Sequence, residues 1–353
     1  MNNVAPTANA GGPYFTFDDT PITLTGSGSD VAGAADPLSF AWDLDNNGSF
    51  ETAGQNAVFN PQALGFTGTQ TRTVQLRVTD GDGGQTVATT TVELLGVGTA
   101  LIGGVLHVVG SDAHDIVIIN RVNNDIKVIA TFNENNLMSF SESAITEIQV
   151  RVRGGSDIVV TTPNVTKLMT IDGGSGNDLL TGGGGRNVIS GGLGHDIIHG
   201  SAGDDVLMGG TGNDDIFGGS GNDVLVGGDG NDILNGGTGR DLIIGSQDED
   251  LLLGGNDEDI LIGGFTSHDN NMAALDAIMA IWGSAASFNS RIASLSGAGG
   301  LLQSGVTVFD DDDDDHIVGG AGRDLVFGDT NPWDGALDLI NLQPLQDVLI
   351  AVN

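Results

Sequence analysis

The chain contains no cysteine. Disulfides and thiolate metal sites are therefore excluded, although the compartment is not decided by this alone. Basic residues are scarce: Lys and Arg together number 11 against 47 Asp and Glu, a formal net charge of -36 over 353 residues. Such a surface repels nucleic acid and anionic membranes and attracts cations. Aromatic residues make up only 5%. No apolar run reaches the roughly 18 residues of a membrane span. The opening MNNVAPTANAGG lacks the basic start and apolar core of a secretory signal, so the chain is expected to be an excised piece or to use another export route. Glycine is abundant, at 58 residues, without the three-residue period of collagen. Alongside aspartate and a mean hydropathy of +0.05, it indicates a turn-rich β protein rather than a disordered acidic tail.

Residues 1–95 carry short alternating or apolar runs, ITLTG, LSFAWDL, AVFN, TRTVQLRVTD and TVATTTVELL, separated by Gly, Pro, Asn and Asp clusters. This pattern predicts a small β-sandwich. The stretches ANAGGPY, LTGSGSD, LSFAWDLDNNGSFE and TRTVQLRVTDGDGGQT resemble a PKD (polycystic-kidney-disease-type) domain, with the Trp42 strand and the VTDGDGG turn carrying the resemblance. It implies an Ig-like extracellular spacer or interaction module rather than a catalyst. Within it, Asp43, Asp45, Asn47 and Gly48 match the first half of an EF-hand loop, but the twelfth position is Gly54 and the flanks read as strands. A turn whose Asx side chains satisfy the backbone outweighs a calcium site there.

Residues 96–172 hold further β-like runs, including VVGSDAHDIVI and VRGGSDIVV, and read as early, irregular rungs of the solenoid that follows. From Gly173 to Ile262 the sequence repeats every nine residues without a gap: GGSGNDLLT, GGGGRNVIS, GGLGHDIIH, GSAGDDVLM, GGTGNDDIF, GGSGNDVLV, GGDGNDILN, GGTGRDLII, GSQDEDLLL, GGNDEDILI. Internal repetition takes precedence over any local reading. Residues 263–309 interrupt the array. Met272, Leu275, Ile278, Met279 and Trp282 share a helical face there, with Asp269 or Asn270 as a cap and Gly283 and Gly297 as stops. This helical insertion is expected to cap the solenoid end, with Trp282 and Phe288 in its core. Residues 310–353 resume the array as DDDDDDHIV and GGAGRDLVF, the frame putting Asp310 at position one and Asp315 at position six. The closing LDLINLQPLQDVLIAVN either completes the last coil or contains a type I secretion signal.

Each unit divides into six turn residues and three strand residues, with the apolar residue at position eight pointing inward. Two units make one coil, so the turn two units on lies about 4.8 Å above. The position-six residues then form two columns: Asp178, Asp196, Asp214, Asp232 and Asp250; and Asn187, Asp205, Asp223, Asp241 and Asp259. Carboxylates about 5 Å apart repel by roughly 3 kcal/mol per pair at an effective dielectric near 20. Several such pairs would cancel a typical domain stability of about 5–15 kcal/mol. A hard divalent cation taking carboxylate and carbonyl oxygens in irregular geometry answers this, which favours multiple Ca²⁺ over Mg²⁺ or softer metals. His195, His199, His268 and His316 have no ligand spacing of their own and are assigned structural or solvent-facing roles.

The units resemble the RTX (repeats-in-toxin) nonapeptide GGxGxDxUx, U being apolar. The resemblance implies a parallel β-roll (a β-helix-type solenoid) with calcium in its turns, folding after export. By position it implies ligands at Asp178, Asp196, Asp205, Asp214, Asp223, Asp232, Asp241, Asp250, Asp259, Asp315 and Asp324. Asn187 departs from the pattern, so its column should begin weakly. Ser201 and Ser246 stand at position two, and Asp248 and Asp257 at position four, where glycine is expected. Those turns are either distorted or equipped with an extra carboxylate. The insertion and acidic tail also resemble an arrangement in large secreted proteins of planctomycete-type bacteria.

HExxH, a strand-to-helix GxSxG, a Walker motif and a dinucleotide fingerprint are all missing from the sequence, so no enzyme is expected in these residues. The nine-residue period assigns the paired carboxylates to metal turns. The chain is thus read as all-β: an Ig-like (PKD-type) sandwich, then a parallel β-roll with a small helical insertion. The leading function is a secreted or cell-surface bacterial structural protein, its calcium-stiffened roll serving as a spacer in adhesion, matrix or surface assembly. Its expected partners are calcium ions, further copies of itself, or surface and matrix components. The alternative is the C-terminal export-and-folding portion of a larger type I secreted enzyme or toxin.

Overall fold

The computed structural model describes residues 4–31, 36–133, 137–297, 300–303, 307–309, 311, 313–329, 339–341 and 347–352. The chain divides into two units, Met1–Gly98 and Thr99–Asn353.

In the first unit every run read as a strand forms one. Gln85–Leu95, Gln70–Thr79 and Ser39–Asp43 pair antiparallel, and Thr52–Ala53 adds to their sheet. Tyr14–Phe17 joins the other edge in parallel with Gln85–Leu95. Ile22–Thr25 pairs with Asn56–Phe59 and brings Leu24 and Phe59 against Trp42, Leu76 and Val92, all of them buried. Trp42 keeps its indole N–H satisfied by donating to the Gln55 carbonyl at 3.3 Å.

The second unit is a solenoid of two parallel sheets, in which each strand pairs with the strand two units on. In one, the inward residues Leu180, Ile198, Ile216, Leu234 and Leu252 stand in register; in the other, Ile189, Leu207, Leu225, Ile243 and Leu261 do. All ten are fully buried in one core that also holds Leu106, Val117, Ile148, Val159 and Ile171 from the preceding region. The register continues across the insertion, Leu252 pairing with Ile317 and Leu261 with Val326. Leu339–Asn341 and Val348–Val352 extend the two sheets by one more coil.

Residues 96–172 are only partly rungs. Val105–Val109, Glu147–Arg151 and Leu168–Ser175 stack in parallel, as do Ile116–Val122 and Ile158–Thr161. Asp125–Ala130 instead folds back antiparallel on Ile116–Val122, and Leu137–Ser141 antiparallel on Asp125–Ala130. The two-residue turn Asn123–Asn124 permits this, Asn123 taking a φ of 57° that Asn tolerates. The meander extends the starting edge of that sheet.

The insertion contains helix α1, Met272–Trp282, and helix α2, Phe288–Ser296. It does not cap the solenoid end. It lies along the outer face of one sheet, where Leu275, Ile278, Trp282, Phe288 and Leu295 bury themselves against Val206, Val224, Leu242, Ile244, Ile260, Ile262, Leu325 and Phe327. The reason is compositional. In that sheet positions seven and nine are apolar (VLM, VLV, LII, ILI, LVF), so its outer face needs cover, whereas the facing sheet mixes in Thr181, His199, Asp215 and Asn235. The cap of α1 is Asn271, which accepts from Ala274 N, and not Asp269 or Asn270; Asp269 accepts from the N–H and hydroxyl of Thr266 instead. Gly283 and Gly297 end the helices as expected.

Candidate metal centre

The position-six side chains stand where the repeat frame puts them. In the first column the N–H of Asp178 donates to Oδ1 of Asp196, Asp196 to Asp214, and Asp214 to Asp232, each at 2.7 Å. Asp232 then donates to Asp250 at 2.7 Å and Asp250 to Asp315 at 2.9 Å. In the second column Asn187, Asp205, Asp223, Asp241 and Asp259 donate in turn to Oδ1 of Asp205, Asp223, Asp241, Asp259 and Asp324, at 2.7 to 3.0 Å. Asp310 lies outside the described residues.

The first column runs further than the repeats do. Asp115 N donates to Asp157 Oδ1, and Asp157 N to Asp178 Oδ1, each at 2.7 Å. Both aspartates were legible in VVGSDAHDIVI and VRGGSDIVV, yet neither was assigned, because the flanking positions depart from the glycine pattern. Ser111 and Ala113, around Asp115, do not take a positive φ; around Asp157 the turn is nonetheless kept, Arg153 at position two and Gly155 at position four having φ of 71° and 118°. The other departures behave likewise. Ser201, Ser246, Asp248 and Asp257 have φ of 85°, 91°, 73° and 74°. These turns are therefore not distorted, and each non-glycine residue there carries a local cost of order 1–2 kcal/mol.

One oxygen of each carboxylate is thus held by the backbone. The other, Oδ2, is buried without a hydrogen-bond partner in Asp157, Asp178, Asp196, Asp205, Asp214, Asp223, Asp232, Asp241, Asp250, Asp259 and Asp324. A second acceptor sits beside it. A methyl group placed on Gly191, at position one, would stand 2.2 Å from Asp196 Oδ2 and 2.7 Å from the Gly209 carbonyl oxygen. On Gly209 the corresponding distances are 2.3 Å to Asp214 Oδ2 and 2.6 Å to the Gly227 oxygen. Glycine at position one therefore lets a carboxylate and a carbonyl of the next coil converge with no donor between them. Nearby guanidinium groups are engaged elsewhere: Arg186 pairs with Asp276 at 2.8 Å, and Arg240 and Arg291 pair with Glu258.

Buried acceptors facing acceptors favour the protonated form. Burial chiefly, opposed by the backbone hydrogen bond and aided by neighbouring aspartates, pushes Asp178 and Asp214 up to about 7 and Asp232 and Asp241 up to about 8. The same causes push Asp259 up to about 9 and Asp250 up to about 10. Such a column is neutralised either by protons or by a cation. The donor set consists of hard oxygens alone, which fits Ca²⁺. No histidine joins it: His195 Nδ1 accepts from Asn213 N at 2.7 Å on the outside of the turn, His199 stacks on Phe217, and His268 Nε2 meets the Leu301 carbonyl.

In the first unit, oxygens of Asp43, Asp45 and Glu51 converge within 4.8 Å. Both oxygens of buried Asp43 already accept from the N–H groups of Asn47 and Gly48, and Asp45 accepts from Asn47, which is the Asx turn.

Comparison with known families agrees with this geometry. Residues 170–265 and 307–330 match the RTX calcium-binding nonapeptide repeat (4 copies), and residues 3–93 match a bacterial Ig domain. The chain therefore carries RTX repeats behind an Ig-type domain, neither of them a catalytic family. Among solved structures, the PKD1 domain of Vibrio anguillarum Epp is 24% identical, with 27% of this chain and 99% of that one covered and a TM-score of 0.21. No curated protein matches the chain. None of these matches concerns a planctomycete-type source. No helix among the described residues is long and apolar enough to cross a membrane.

Proposed function

We propose that the chain is a calcium-stiffened structural module of a secreted or cell-surface protein. Calcium is held by the position-six aspartates from Asp178 to Asp324 together with position-one carbonyls. The supporting observation is the pairing of a buried, donor-less Oδ2 with a carbonyl oxygen in turn after turn, as in Asp196 with Gly209. When bound, the ion supplies the positive charge that lets stacked carboxylates ionise. The chain's own residues supply the frame: Oδ1 is held by the neighbouring N–H, position one is open, and the position-eight column keeps the coils in register. The affinity expected of extracellular calcium modules, about 10⁻⁴–10⁻³ M, suits an ion that binds outside the cell and sets rigidity. The roll then serves as a spacer in adhesion, matrix or surface assembly. Isothermal titration of metal-stripped protein with calcium tests this. Several sites per chain accompanied by a gain of β signal are expected; no uptake of calcium would overturn it.

A further inference from the structure

The second nonapeptide, Gly182–Ser190, contradicts its neighbours in a systematic way. Its position-six residue is Asn187, fully buried. A methyl on Gly182 would meet Asn187 Nδ2 at 2.8 Å and the Gly200 carbonyl at 2.8 Å, the same pair of places that Oδ2 and a carbonyl occupy in the following turns. Here, however, the first atom is a donor. Nδ2 donates to the oxygens of Gly185 at 2.7 Å, Gly200 at 3.1 Å and Gly183 at 3.3 Å, and to Asp205 Oδ1 at 2.9 Å. Asn187 Oδ1 accepts from Gly183 N at 2.9 Å.

The backbone of this turn is also its own. Gly183 and Gly185, at positions two and four, lie outside the left-handed region that the corresponding residues of the other nine consecutive units adopt. The cause is the segment beneath. The turn stacks on residues 162–166, which hold no carboxylate, and Gly184 N donates to Val165 O at 2.8 Å. The first column opens in an equivalent way. Asp115 is filled by Ser111 N at 2.7 Å and Ser111 Oγ at 2.9 Å on Oδ2, and by Thr131 Oγ1 at 3.1 Å on Oδ1.

We propose that the Asn187 side-chain amide takes the place of the first ion of the second column, so that this turn is closed without metal and sets where calcium loading begins. The inference rests on the calcium reading above. An amide proton shared among carbonyls does there, at fixed stoichiometry and with no dependence on calcium concentration, what a cation does in later turns. Asn187 is thereby a specificity-determining residue: replacing one nitrogen by oxygen restores the acceptor–acceptor pair and with it the demand for a cation.

The test counts calcium per full-length chain by native mass spectrometry in saturating calcium, for the wild type and for Asn187→Asp. The variant is expected to hold one ion more than the wild type. A folded variant with the same count or fewer overturns the proposal, while a wild type that binds no calcium overturns the calcium reading instead. If the variant does not fold, the wild type decides. Its Asn187 amide protons, assigned by difference against Asn187→Ala, are expected to stay protected from solvent exchange in the calcium-loaded protein. Free exchange there would mean that the ion displaces the amide, and the proposal would fall.

Discussion

The N–H of Asp223 donates to Oδ1 of Asp241 at 2.8 Å, while Oδ1 of Asp223 itself accepts from Asp205 N at 2.9 Å, one coil earlier. Asp205, Asp223 and Asp241 are thus tied coil to coil through Oδ1, while the Oδ2 of each is buried without a hydrogen-bond partner.

Asp223→Ala should therefore damage more than one turn. It removes an acceptor from the Asp205 turn and a carboxylate from its own. Calorimetric calcium stoichiometry is expected to fall by more than one ion per chain; a loss of one or none would show that the carboxylate serves a single turn.

Removal of calcium should act on one unit and spare the other. In EDTA above about pH 8, where protons no longer neutralise the ladder, the circular-dichroism β signal of residues 173–327 is expected to collapse, while the first unit, whose Trp42 core contains no metal ladder, keeps its own cooperative transition. A spectrum indifferent to EDTA would contradict this.

Without metal, stability should depend on pH in a direction unusual for an acidic protein. The ladder carboxyls titrate near 4 when unfolded, but in the fold Asp178, Asp214 and Asp223 are pushed up to about 7 and Asp205, Asp232 and Asp241 to about 8, chiefly by burial. Between those values the folded state binds more protons than the unfolded one, so stability falls as pH rises. Its contribution is complete below about 4 and is lost progressively through 7 to 8 and beyond. Metal-free protein is expected to melt at a higher temperature at pH 6 than at pH 8.5, and saturating calcium should remove the difference. A metal-free Tm that rises with pH would refute it.

Gly191→Ala tests the convergence at position one. Its methyl group would lie 2.2 Å from Asp196 Oδ2 and 2.7 Å from the Gly209 oxygen, so backbone must move. A loss of about 1–3 kcal/mol is expected from overpacking, together with weakened calcium uptake at that turn. Denaturant unfolding in calcium gives the first quantity and titration the second.

Trp282→Ala should destabilise the roll from outside. Trp282 is fully buried and donates to the Glu258 carbonyl at 2.7 Å, so truncation is expected to cost about 3–5 kcal/mol. Chemical denaturation at constant calcium measures this, and a change below about 1 kcal/mol would mean that α1 and α2 are loosely attached.

The repeat, the two columns and the inward apolar line were all legible from the nonapeptide alone. Each follows from a translation rule that acts locally: six residues turn, three extend, and two units return the chain above itself. Five strands of the first unit were legible for the same reason, because alternation and turn residues act within a few positions, whereas the short Tyr14–Phe17 and Thr52–Ala53 were not. Tertiary structure decided what depends on distant segments meeting. It drew Asp115 and Asp157 into the first column although their flanks break the pattern, since the N–H of each donates to the carboxylate of the next coil. It also laid the insertion along a sheet rather than across the end, because Leu275, Ile278 and Trp282 find their apolar complement in Val224, Leu242 and Ile260. Likewise the Asn187 amide, which meets Gly183 and Gly185 within its own turn, finds its other two acceptors because Gly200 and Asp205 are brought over it. Spacing along the chain prescribes which side chains stack; what lies against the stack depends on burying apolar surface and satisfying donors between residues that sequence order keeps apart.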